Sequence, residues 1–349
     1  MTTFLFAIGA RDRASSRLRI WDHVEWVAAR DRELIVDSLL PPAAFATRIA
    51  IISRIVTRLP QWIAAFFRAD AIIIQEALLL WPLLALKHVG KRRRVAFDFS
   101  DPVDKHGHGL KGALRGFAFR RMARGADVIS VENRGYLDAL AGDARELRHF
   151  YGPVNAARYL ASRREREPRV SEAPLRIGWT GSPSTFRFIA PLMPIIDRIA
   201  ADRPIELVLI GAGTVDYRFE HARPIIQPWS EPEEFGLVPT FDLGLFRLEP
   251  TREALWRGAG KLFIYMAAGV PFVASDLGIA HGTMEESGVG YPVPTDVDWE
   301  AVLRMAVDDN DGRRAMSARS LDFAAHSLSY EAYRARILAP LIPSREAAV

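Results

Sequence analysis

One alternation, run twice, sets what this chain can fold into. Short apolar segments recur, each ending at a glycine or a brief polar loop that opens an amphipathic stretch. In the first half they fall at residues 4–8, 34–38, 71–74, 95–99 and 126–131. In the second half they fall at 175–179, 205–210, 225–229, 241–246 and 271–274. Apolar runs without strict alternation, separated by helical segments, are the mark of parallel strands buried on both faces. The expected fold class is therefore α/β, with two doubly wound domains. A charged, helix-poor stretch at 162–168 reads as the linker between them. Residues 1–165 are assigned to the first domain and 174–325 to the second.

The length of 349 residues is sufficient for two cores. The absence of cysteine excludes disulfides, thiolate catalysis and cysteine-ligated zinc. The net charge of +4 conceals a split: residues 1–170 hold 29 Lys and Arg against 18 Asp and Glu, and the remainder 17 against 24. The basic half suits an anionic partner such as lipid headgroups, nucleic acid or a phosphorylated substrate, or else is a solvated face. No nucleic-acid recognition motif is found, and no nucleic acid is expected as a partner. The start, MTTFLFAIGARDRASS, lacks the pattern of a signal peptide, and the apolar run at 77–86 is short and contains Pro82, so we expect no membrane span and a cytoplasmic protein. Residues 43–68 set Arg48, Arg54, Arg58 and Arg68 among aliphatic and aromatic residues with no acid. That pattern fits either a helix lying on an anionic membrane surface, making the protein peripheral, or a core helix with its arginines in solvent.

Residues 256–275, WRGAGKLFIYMAAGVPFVAS, carry the strongest chemical signal. A glycine-rich basic loop (Arg257, Gly258, Gly260, Lys261) enters a helix expected at 262–268, Gly269 stops it, and a strand follows. Unpaired N–H groups and cations at a helix N-terminus favour a diphosphate. The alternative is an ordinary loop with a surface Arg and Lys. Gly181 and Ser182 follow a strand and open a helix, a second turn suited to phosphate. Gly211-x-Gly213 follows a strand too, but the third glycine of a dinucleotide fingerprint is replaced by Asp216, which weighs against a nicotinamide or flavin cofactor. Ser230 and Glu233 form a capping-box pattern. Asp296, Asp298, Asp309 and Asp311 flank expected helices and read as caps. His106 and His108 lie in a glycine loop near Asp98, Asp101 and Asp104; with no cysteine the metal signal is weak, and a substrate-contacting or solvent loop fits as well. No metal is expected.

Taken in order, residues 177–184 (IGWTGSPS), 207–211, 241–246 and 256–275 resemble the donor-binding domain of GT-B-fold retaining glycosyltransferases of the family-4-like kind. Ser15-Ser16-Arg17, residues 97–101 and 126–129 are similar to their acceptor domain. The resemblance covers nearly the whole chain. It implies two facing Rossmann-like domains, with residues 326–349 a helix returning to the first. It implies transfer of a sugar from a nucleotide-diphosphate donor to a glycan or lipid-linked acceptor with retention, with no cofactor beyond the donor. Arg257 and Lys261 would neutralise the leaving diphosphate and Glu253 hold the sugar, with Gly181, Ser182, Trp229, Ser230, Gly258 and Gly260 at the donor. Gly9, Arg13, Asp101, His106 and Asn133 would line the acceptor side. The family's Glu-x7-Glu pattern is absent: Ile264 stands where its second Glu binds ribose, and Trp256 stands eight residues earlier. The rival expectation is a scaffold or binding protein that keeps the fold without the chemistry.

Overall fold

The computed structural model describes residues 1–31, 33–105, 107, 109–164 and 173–342. Those residues divide into two compact units. The first comprises Met1–Pro153, Trp256–Gly258 and the chain from Glu331; the second comprises Val154–Leu255 and Ala259–Tyr330.

In the first unit β1 (Thr2–Ala7), β2 (Glu33–Ser38), β3 (Ala71–Gln75), β4 (Arg94–Phe99), β5 (Val128–Val131) and β6 (Leu147–His149) form one sheet in the order β2-β1-β3-β4-β5-β6. Every pairing is parallel. The central strands are buried on both sides, so their apolar runs need no alternation. Phe4, Phe6, Ile72, Ile74, Phe97 and Ile129 face one layer, and Leu5, Ala7, Ile73, Ala96 and Val128 face the other. The second layer is closed by Tyr333, Ile337, Leu338, Leu341 and Ile342. The C-terminal stretch thus completes the first unit's core.

The second unit repeats the plan with β7 (Leu175–Thr180), β8 (Ile205–Ile210), β9 (Arg223–Gln227), β10 (Leu243–Phe246), β11 (Phe272–Ser275) and β12 (Tyr291–Val293), in the order β12-β11-β10-β7-β8-β9. These pairings are all parallel as well. Both sheets are α/β with flanking helices. In each, the chain turns back past its first strand, β1 or β7, which creates the crevice at the strands' C-terminal ends where such sheets bind ligands.

Helix boundaries depart from expectation where local chemistry intervenes. The helix expected after β1 is broken into Ala14–Arg19, Trp21–His23 and Val24–Ala28. At the break Ile20 leaves helical geometry and the Trp21 indole donates to Gly9 O at 3.0 Å. The segment Leu78–Leu86 is wound as a 3-10 helix around Pro82. The amphipathic stretch after β7 is divided into Pro183–Phe186, Ala190–Leu192 and Met193–Asp202, with breaks near Pro191 and Pro194. Asp309 accepts from Gly312 N, Asp298 closes a capping box with Thr295, Asp296 pairs with Arg247 and Asp311 pairs with Arg314 at 3.7 Å, so all four aspartates have structural partners near helix ends. The expected linker residues 165–168 lie outside the described residues.

Candidate functional site

In the second unit the ends of β7 and β8 and the start of the helix Gly260–Ala267 converge. Gly211, just past β8, has φ +77°, and a Cβ there would lie 2.2 Å from Gly181 O and 2.9 Å from the Trp229 Cβ. Gly181, just past β7, is flanked so closely by the Trp179 ring and Lys261 Cε that a Cβ would approach them to 2.5 and 2.8 Å. Only glycine fits at either point. Lys261 lies in the first turn of its helix and runs across Gly181, with Nζ 5.7 Å from the Trp179 ring centroid. A cation, a bare backbone turn and first-turn N–H groups therefore share one corner of the sheet edge, an arrangement suited to phosphate.

Trp229 borders the same corner. Its indole N–H donates to Glu234 Oε2 at 2.8 Å, while the residue remains 38% exposed. Glu234 is buried and also accepts from Thr180 Oγ1 at 3.0 Å and Tyr159 OH at 2.9 Å. Sequence reasoning missed Glu234, since its only local signal is an acid in a first helical turn. Ser230 caps the helix Glu231–Leu237 by accepting from Glu233 N. Ser182 caps the four-residue turn Pro183–Phe186, its backbone N–H donating to Thr185 Oγ1 at 3.2 Å and its hydroxyl shared with Ser184 and Thr185. Gly260 opens the Lys261 helix, and a Cβ added there would meet nothing within 4 Å. Glu253 is half-buried, and its side chain makes no hydrogen bond or ion pair among the described residues.

The basic loop is divided between units: Trp256–Gly258, hence Arg257, belongs to the first unit and Ala259 onward to the second. Trp256 packs against Tyr136 with centroids 4.8 Å apart and planes inclined at 58°, beneath Lys105. A Cβ at Gly258 would approach Glu132 Oε1 to 2.7 Å and Ser100 O to 3.3 Å, so a side chain there would have to displace Glu132.

At the C-terminal edge of the first unit's sheet, Arg19 donates through Nη1 to both Asp98 oxygens, at 2.8 and 3.0 Å, and through Nη2 to Glu132 at 2.5 Å. All three are buried. Burial opposes the guanidinium charge, but the two carboxylates outweigh it and hold the Arg19 pKa above its ordinary value. Glu76, directly after β3, is the one non-glycine residue with positive φ among the described residues, at 56°. Its Oε1 accepts from Ser100 N and Oγ, and burial together with Asp101 pushes its pKa up to about 7. Gln75 accepts from Ile8 N and Ser16 Oγ, while its buried Nε2 and the Arg13 Nε have no hydrogen-bond partner among the described residues. Strain, a raised carboxyl pKa and unmet donors at a ligand-binding edge mark a functional surface. None has a linear motif.

Of the residues expected on the acceptor side, Gly9 and Arg13 are together: the Arg13 stem folds over Gly9, whose N–H donates to Ser16 Oγ. Asp101 is exposed beside Glu76, and Asn133 Oδ1 accepts from Gly135 N at 2.9 Å. His106 lies outside the described residues. Among the described residues no group of three or more His, Asp and Glu side chains is placed to hold a metal.

No family model and no curated protein sequence matches the chain. Solved structures do. The Anabaena protein HepE in complex with UDP and glucose aligns with a TM-score of 0.68 at 14% identity, over 97% of this chain and 98% of that one. Sucrose-phosphate synthase from Thermosynechococcus elongatus aligns at 0.65 and 13% identity, over 95% and 96%. WaaG, a glycosyltransferase involved in lipopolysaccharide biosynthesis, aligns at 0.63 and 13% identity, over 97% and 100%. The chain has the GT-B fold, with two Rossmann-like units.

Proposed function

We propose that the chain is a retaining glycosyltransferase that moves a sugar from a uridine-diphosphate donor to a hydroxyl of a glycan or lipid-linked acceptor. The observation that carries this reading is the corner of the second unit where Lys261 crosses Gly181 beside Gly211. Cleavage of the anomeric C–O bond leaves negative charge on the diphosphate. A fixed cation and first-turn N–H groups stabilise that charge more in the transition state than in the bound donor. The HepE complexes with UDP and UDP-glucose support uridine as the nucleotide. The exposed Trp229 ring, anchored through Glu234, is suited to stack on the base. Glu253 has the acceptor oxygens to take sugar hydroxyls, and Arg257 is assigned to the leaving diphosphate. Retention by attack from the leaving-group side needs no enzyme nucleophile, and the reaction needs no metal or cofactor. The acceptor is assigned to the first unit's edge at Gly9, Arg13, Asp101 and Asn133, with His106 retained as a candidate from the sequence. The helix Arg48–Arg68 is assigned to an anionic membrane surface on the cytoplasmic side.

A panel of UDP-sugars tests this by UDP release. Turnover should survive a chelator and fall at least about tenfold in Lys261→Ala, and product NMR should show the donor's anomeric configuration. Absence of both nucleotide binding and turnover would refute the reading. Ile264, where the resembled family has the Glu that binds ribose, favours one rival, a membrane-associated scaffold or binding protein that keeps the fold without the chemistry; vesicle flotation with neither UDP binding nor UDP release would select it.

A further inference from the structure

Three long segments contribute to the layer that covers the Phe4, Phe6 and Ile72 side of the first unit's sheet, beside Tyr136 and Leu140 of the short helix Gly135–Leu140. Trp62 and Phe66 come from Arg48–Arg68, Leu80 and Leu84 from Leu78–Leu86, and Phe119 and Met122 from Gly109–Gly125. The outer surface of this layer is not the usual polar one. Helix Gly109–Gly125 exposes Leu110, Leu114 and Phe117 at 78%, 60% and 45%. Spacings of four and three place them in one row. The helix carries Lys111, Arg115, Arg120, Arg121 and Arg124, and residues 105–125 contain no acid. Lys111, Arg115 and Arg120 make no ion pair among the described residues, and Arg121 lies 5.5 Å from the Phe117 ring centroid. Helix Arg48–Arg68 shows the same pattern, with Ile49, Ile52 and Val56 exposed at 82%, 62% and 68% among arginines.

We propose that helix Gly109–Gly125 is a second lipid-binding element, so that the first unit meets an anionic bilayer with a whole layer rather than with the helix Arg48–Arg68 alone. A narrow apolar row enters the acyl boundary while flanking Lys and Arg reach headgroup phosphates with their stems along the lipid. The pattern's repetition on two helices of one layer suits a continuous anionic surface; an acidic protein would need a separate groove for each row. This inference rests on the lipid-surface part of the reading above and not on its sugar chemistry.

Vesicle flotation of the full chain tests it, with phosphatidylcholine alone or mixed equally with phosphatidylglycerol. The wild type should float with the anionic vesicles and stay behind with the neutral ones. Leu110→Ser/Leu114→Ser/Phe117→Ser, all at exposed positions, should cut the bound fraction about fivefold or more with an unchanged thermal midpoint. Lys111→Gln/Arg115→Gln/Arg120→Gln should cut it most at low salt. Wild-type flotation by both triple variants would overturn the inference. So would loss of flotation only in Ile49→Ser/Ile52→Ser/Val56→Ser, which leaves the first helix as the sole anchor. Failure of the wild type to float, including self-association or capture of an acidic protein through this face, would overturn both lipid readings.

Discussion

Gly211 and Gly260 are both glycines beside the proposed phosphate corner, yet they have opposite roles. At Gly211 a side chain would enter Gly181 O and the backbone has φ +77°, so Gly211→Ala should cost about 2–4 kcal/mol by urea denaturation and disrupt the corner. At Gly260 a side chain meets nothing, so Gly260→Ala should be neutral or stabilising by up to about 1 kcal/mol. Sequence spacing drew attention to both but could not separate them, because the difference lies in which strand end faces each. Two buried titratable groups make opposing contributions to pH dependence. Glu76 keeps its proton up to about pH 7 when folded and to an ordinary 4.5 when unfolded, so the stability it contributes falls as pH rises through that window. His23, held neutral by burial and by Arg334, has its pKa lowered to about 3, so its contribution falls as pH drops from 6.5 toward 3. Denaturation across pH should show Glu76→Gln losing the first dependence, at most about 3 kcal/mol, and His23→Gln losing the second. Unchanged profiles would contradict both assignments.

The strands show what periodicity can and cannot reveal. Ten of the twelve are apolar runs long enough to read directly. β6, Leu-Arg-His, and β12, Tyr-Pro-Val, have three residues each and no run; they exist because β5 and β11 offer them an edge to pair with. The Arg19–Asp98–Glu132 cluster was equally illegible, since it joins residues 79 and 113 positions apart whose proximity only the sheet order creates. It ties the ends of β4 and β5 to the helix after β1. Arg19→Met would leave two buried carboxylates without their cation, with an expected loss of about 3–5 kcal/mol in urea denaturation. The glycines and Lys261 of the proposed donor corner drew attention because a phosphate turn has a linear signature, whereas Glu234 and Glu76 stand out only through burial and strain.

At the scale of the molecule, the division of the chain does not follow its linear order. The first unit takes its last core segment from residues after Glu331 and a three-residue piece from the basic loop. Deleting residues 331–349 should therefore uncover Leu5, Ile73 and Ala96 and speed hydrogen exchange in β1, β3 and β4, while β7, β8 and β10 keep their protection. The charge split of the sequence is realised as a basic, apolar outer layer on the first unit, and the proposed phosphate corner lies in the acidic half, where one lysine has to be placed by local geometry. That placement is the centre of the account. Calorimetric titration of UDP tests it most directly: the wild type should bind with measurable heat, and Lys261→Ala should weaken the affinity at least about tenfold, or about 1.4 kcal/mol, with the fold intact. Equal affinity in the two proteins, or no binding by the wild type, would contradict it.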